Sequence, residues 1–132
     1  MNANYPAVAH RAGYRCEYCR APEAAFNFAF EVEHIQPKSQ RGENDASNLA
    51  LGCRSCNQFK SDSTSGIDPI SAEATRLYNP RADRWDDHFI ASADGTIAGR
   101  TPTGRATIDC LKINSTRQVA ARKLWIVLGI FP

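Results

Sequence analysis

Cys16-Glu17-Tyr18-Cys19 and Cys53-Arg54-Ser55-Cys56 bracket the run Phe28-Ala29-Phe30-Glu31-Val32-Glu33-His34-Ile35-Gln36-Pro37, and Asn57 and Lys60 follow directly after the second pair. Each Cys-x-x-Cys step sets two thiolates across a tight knuckle, and two such knuckles close a tetrahedral four-cysteine zinc site through Cys16, Cys19, Cys53 and Cys56. Four thiolates leave no open position for water, so this zinc is expected to be structural.

Phe28, Phe30 and Val32 alternate with Ala29, Glu31 and Glu33, which predicts a strand with an apolar buried face that Pro37 stops. His34 falls at its exit. Residues 38–47 are polar around Gly42 and read as an exposed loop carrying Lys38 and Arg41, while residues 48–51 form a second short strand. A helix from Arg54 to about Asp62 starts inside the second knuckle. The order is therefore strand, loop, strand, helix. Strict alternation sends Glu33 and His34 to opposite faces of the first strand, so a joint role for them requires a twist or bulge at that point.

A chain of 132 residues, 42% hydrophobic, buries one core, so a single domain over residues 1–132 is expected, with a zinc-stapled part over about 13–62. The formal charge is only +2, but it is unevenly spread. Residues 1–97 hold ten Lys or Arg against thirteen Asp or Glu; residues 98–132 hold six against one. Four of the five cysteines sit in the two pairs, which favours a reduced cytoplasmic setting over a disulfide scaffold. Met1-Asn2-Ala3-Asn4-Tyr5-Pro6 has neither the basic start nor the apolar core of a secretory leader. The apolar run at 124–131 falls short of the roughly 20 residues that span a bilayer, so no membrane partner is expected.

Outside the central stretch, residues 6–12 predict a short helix ending at Gly13. Residues 63–84 read as a long surface connection with a helical turn near 71–77. Residues 88–92 and 96–99 predict a hairpin closed by a type I′ turn at Asp94-Gly95, and Thr101-Pro102 opens a helix with Ala106, Cys110 and Ile113 on one face. A last helix starts at Ser115 with a capping box to Gln118, a stripe of Ala120, Leu124, Val127 and Phe131, and Arg117, Arg122 and Lys123 toward water. The hairpin and two helices fill about 85–131. The basic last helices either line a nucleic-acid channel or keep the tail soluble. Arg15, Arg20, His10 and His88 read as surface or packing residues, and Cys110 as a buried small hydrophobe.

The two knuckles, the Glu33-His34 step, Asn48 before Leu49-Ala50-Leu51, and Cys56-Asn57 together resemble the HNH endonucleases. The resemblance implies an α+β fold with a ββα-metal core, a β-hairpin and two C-terminal helices. It implies His34 as general base, Glu33 and Asn57 as ligands of a catalytic Mg²⁺ or Mn²⁺, and Asn48 as the residue that ties down the loop and orients the histidine. Asn57 stands where the family name implies histidine, and Glu33 where many members have aspartate; both changes keep an oxygen ligand. The substrate so implied is DNA, RNA less so, with Lys38, Arg41, Arg54 and Lys60 as candidate phosphate contacts. Weaker likeness to small stand-alone bacterial members continues through Asn79-Pro80-Arg81 and Thr101-Pro102-Thr103-Gly104-Arg105. The alternative is a zinc-dependent nucleic-acid-binding module without catalysis. A thiol redox protein lacks support because no βαβ context surrounds either pair.

Overall fold

Leu49, Ala50, Leu51 and Gly52 are all buried, and they form the strand on which the N-terminal half is built. The computed structural model describes residues 2–132. Strand β1 (Glu31–His34) pairs antiparallel with β2 (Leu49–Gly52), Glu31 opposite Gly52 and His34 opposite Leu49. The first knuckle covers the other edge of β2: the Glu17 amide donates to Leu51 O at 2.8 Å, and Glu17 Oε2 accepts from the Leu51 amide at 2.8 Å. Both edges of β2 are thus paired, which explains why it is buried throughout. Helix α1 (Tyr5–Arg11) packs on this hairpin and is followed by Gly13 at φ +63°, a left-handed position suited to glycine. Helix α2 (Arg54–Lys60) begins inside the second knuckle, where Cys53 Sγ accepts from the Cys56 amide.

The C-terminal half adds β3 (Ser65–Ile67) with β4 (Ala74–Arg76), the short turn α3 (Trp85–His88), β5 (Phe89–Ala91) with β6 (Ile97–Gly99), α4 (Pro102–Cys110) and α5 (Thr116–Val127). Thr101 caps α4 by accepting from the Gly104 amide. Gly104 is demanded by packing, since a Cβ there would sit 2.1 Å from His88 O. One apolar cluster runs from Val8 through Leu51, Phe89 and Ile113 to Trp125, so both halves share a core. The fold is mixed α and β, with three two-stranded antiparallel sheets among the described residues. No helix among them is long and apolar enough to cross a membrane.

Several expectations fail for physical reasons. Strand β1 begins only at Glu31, leaves Phe28 exposed, and buries Glu33 instead of Val32, because Glu33 finds a buried cation. Its ladder to β2 is regular through His34, so of the twist or bulge required there no bulge is present. The segment 63–84 is not a plain connection: β3 and β4 form a hairpin where a helical turn near 71–77 was expected. At the β5–β6 turn only Gly95 has positive φ and its amide bonds Ser92 O, so the turn is not type I′. Ser115 makes no side-chain capping bond. Helix α5 is rotated from its predicted stripe: Leu124 and Val127 are 63% and 76% exposed, while Arg122, expected in water, is 0% exposed and donates to Gly95 O and Ile113 O. Cys110 is half-buried rather than fully enclosed.

Candidate metal centre and catalytic cavity

The four knuckle cysteines are buried, and their sulfurs all lie within 4.8 Å of one another. Cys19 Sγ and Cys53 Sγ are 3.8 Å apart. A tetrahedral zinc with bonds of about 2.3 Å places its sulfurs about 3.8 Å apart, the spacing of Cys19 and Cys53, so the cluster fits a zinc ion. The hydrogen bond with Cys16 and those from the neighbouring thiols lower the Cys53 thiol, while the bond with Cys16 heads the causes that push Cys19 and Cys56 up. A bound divalent cation would let all four ionise.

On the β1 side of the hairpin, a cavity of about 570 Å³ is lined by Glu33, His34, Lys38, Asn57 and Asp62, among others. The hairpin supplies Glu33 and His34, and α2 supplies Asn57. Glu33 Cγ and Asn57 Cβ flank the same spot beside Gly52, where an added Cβ would lie 3.7 and 3.8 Å from them. His34 Nε2 is 3.1 Å from Asn44 Oδ1. With the amide oriented so that Oδ1 faces the ring, Nε2 carries the proton and Nδ1 keeps the lone pair that a base requires. Asn48 donates through Nδ2 to Gln36 O at 2.9 Å and Glu43 O at 2.8 Å, and accepts from the Gln36 amide at 2.8 Å. These three bonds pin both ends of the 36–43 loop next to His34.

Glu33 is 5% exposed, with Lys60 Nζ 3.1 Å from Oε2 and the Tyr18 hydroxyl donating to Oε1. Burial pushes the Glu33 carboxyl up, and the Lys60 charge and the Tyr18 hydrogen bond oppose it. Burial raises the Tyr18 hydroxyl as well, with the Glu33 charge adding to it, which keeps it a donor. Lys60 is 1% exposed and donates to His34 O and Ile35 O besides. The expected phosphate contact at Lys60 is therefore corrected: its ammonium faces inward and is spent on Glu33. Lys38, Arg41 and Arg54 are exposed, with Arg54 over the Phe28 ring. The reading of residue types missed Tyr18, Asn44 and Asp62; their only signal was polar character, shared with many surface residues. Each carboxylate oxygen of Glu33 retains a further lone pair, and Asn57 makes no side-chain hydrogen bond among the described residues, so oxygen donors for a hard cation are present.

No curated protein and no solved structure matches the chain. The family model described as HNH endonuclease matches residues 16–63, which run from the first cysteine of the metal cluster to just past α2 and hold every residue named at the cavity. The match covers residues 16–63, so over that segment the chain is similar to the HNH endonuclease family.

Proposed function

We propose that the protein is a divalent-metal-dependent endonuclease that hydrolyses phosphodiester bonds in DNA, RNA being the lesser substrate, with His34 as general base. The observation that carries this reading is the convergence of His34, Glu33 and Asn57 on one cavity inside the family-matched segment. Phosphodiester hydrolysis needs a water deprotonated in line with the leaving oxygen, and a group to absorb the charge that develops there. His34 Nδ1 takes the proton; Asn44 fixes the tautomer; Asn48 holds the loop that aims the ring. Glu33 and Asn57 would hold the catalytic Mg²⁺ or Mn²⁺, which supplies charge neutralisation at the scissile phosphate. Zinc in the cysteine cluster is structural, and residues 1–132 act as one domain. Lys38 lines the cavity, Arg41 and Arg54 are exposed, and these three are the phosphate contacts retained from the sequence. Free cysteines in place of disulfides fit a reducing compartment, the cytoplasm.

A second reading, a zinc-dependent nucleic-acid-binding module without catalysis, draws on one observation: the Glu33 charge is already matched by Lys60. Plasmid nicking with added Mg²⁺ or Mn²⁺ separates the two. We expect cleavage by the wild type, and His34→Ala to keep its zinc and its nucleic-acid affinity while losing on the order of 10²- to 10⁴-fold in rate. Wild-type rates in that variant remove His34 as the base. Absence of cleavage on single-stranded, duplex and branched DNA with both ions selects the binding module.

A further inference from the structure

On the far edge of β2, away from the catalytic cavity, lies a groove of about 360 Å³ whose walls include Arg11, Arg15, Arg20 and Trp85. Arg81 reaches its rim through Glu17. Glu17 and Cys16 share the lining, and few of the arginines have a close carboxylate. Glu17 is taken by Arg81, and Asp86 stands 4.0 Å from Arg20 with 70% of its side chain in solvent, a pairing that water largely screens. The other partners are neutral. Arg11 donates to Ala46 O at 2.8 Å and to Leu49 O, Arg15 donates to Ile130 O at 3.0 Å, and Arg20 lies 4.3 Å over the Trp85 ring. Main-chain carbonyls and an indole face fix the direction of a guanidinium without cancelling its charge. A fold that fixes the direction of several guanidiniums in one concave surface, with no close carboxylate on Arg11 or Arg15 among the described residues, offers donors to an extended anion.

We infer that the Arg11–Arg15–Arg20 groove binds the phosphate backbone of a nucleic acid strand, as a second contact separate from the catalytic cavity. The inference rests on the endonuclease reading only for the identity of the polyanion. The groove lies beyond one edge of the hairpin and His34 lines the cavity beyond the other. A strand held at both places is gripped at a phosphate away from the cut, which fixes its register. Arg fits this role because its planar fork reaches a phosphate bidentately.

The test uses zinc-loaded protein with no added Mg²⁺ or Mn²⁺, so that cleavage does not enter. Binding of a labelled 20-nucleotide duplex is titrated at several salt concentrations for wild type, Arg15→Gln and Arg20→Gln. Each variant is expected to weaken binding and to make the log affinity against log salt slope shallower by about 0.9 for the phosphate contact removed. Because either substitution can disturb packing, the wild type is also treated with phenylglyoxal with and without the duplex, and Arg15 and Arg20 are expected to be shielded by it. Unchanged affinity and slope in both variants, equal modification with and without duplex, or no binding at all overturns the inference. Plasmid cleavage in the separate assay with added Mg²⁺ or Mn²⁺, together with unchanged slopes here, removes the groove and leaves the nuclease; arginine-dependent binding here without cleavage in that assay does the reverse.

Discussion

The most consequential residue is Lys60, because its buried ammonium sets the charge state around Glu33. Taking both charges out of water is costly, and their pairing repays that cost only while both remain. Lys60→Met leaves the Glu33 carboxylate buried against Tyr18 alone and removes the donor to His34 O and Ile35 O. We expect it to cost about 3–5 kcal/mol, and the double variant with Glu33→Gln to recover much of that loss in denaturant titrations. A cost under about 1 kcal/mol for the single variant would show that the pair contributes little. None of this pairing was legible in the sequence. Alternation of Phe28, Phe30 and Val32 assigned the buried face to apolar side chains, since a charge reads as solvent-facing unless its partner is known. Lys60 lies far along the chain from Glu33, and only the turn from β2 into α2 brings them together. Arg122 escaped notice for the same reason: its partners are main-chain carbonyls, which carry no sequence signature.

At the scale of elements, what was legible depended on local spacing. Two Cys-x-x-Cys knuckles, Asn48 before a buried run, and Thr101-Pro102 each encode their geometry within a few residues, and β2, α2 and α4 appear close to where they were expected. Elements held by distant partners were missed. The β3–β4 hairpin has strands of three residues with little alternation, and it is fastened to α4 by Asp68, whose buried carboxylate accepts from Arg105 Nε and Nη2 at 2.9 Å each. The Arg105 hydrogen bonds hold the Asp68 carboxyl well below its ordinary value of 3.8, and bonds from the Ile70 amide and Ser71 hydroxyl assist. A lowered folded-state value means that the unfolded chain binds the proton first. The stabilisation is therefore complete above about pH 4 and is lost as pH falls from there through the lowered value. Asp68→Asn lacks this dependence. The wild type should unfold at a clearly higher temperature than the variant at pH 6, with the gap shrinking below pH 3.8. A gap that stays constant down to pH 2 would mean that the clamp does not act through its charge.

Across the whole molecule, the cysteine cluster sits beside contacts that join the N-terminal and C-terminal halves. Tyr18, inside the first knuckle, offers its carbonyl to the Trp85 indole N–H at 2.8 Å and its hydroxyl to Glu33. Phe26, shortly after that knuckle, packs its ring 5.8 Å from that of Trp125 on α5 and 5.0 Å from that of Phe30. Metal binding at a site of this type contributes about 10–16 kcal/mol, as large as the roughly 5–15 kcal/mol of net stability of a domain. Removing the metal should therefore not merely loosen the knuckles. It should release the backbone of Tyr18 from Trp85 and the aromatic cluster of Phe26 from Trp125, and so carry the C-terminal half with it. We expect titration with a zinc chelator to give one transition, in which far-ultraviolet circular dichroism and tryptophan emission change together. Trp85→Phe isolates the signal of Trp125, which lies on the last helix and touches no cysteine ligand in sequence. If Trp125 keeps a native emission spectrum after the metal has left and the N-terminal signal has collapsed, the halves are separate folding units and the shared core does not couple them. A single midpoint for both probes makes the zinc cluster the keystone of a single domain, so that the aim of His34 depends on contacts reaching as far as α5.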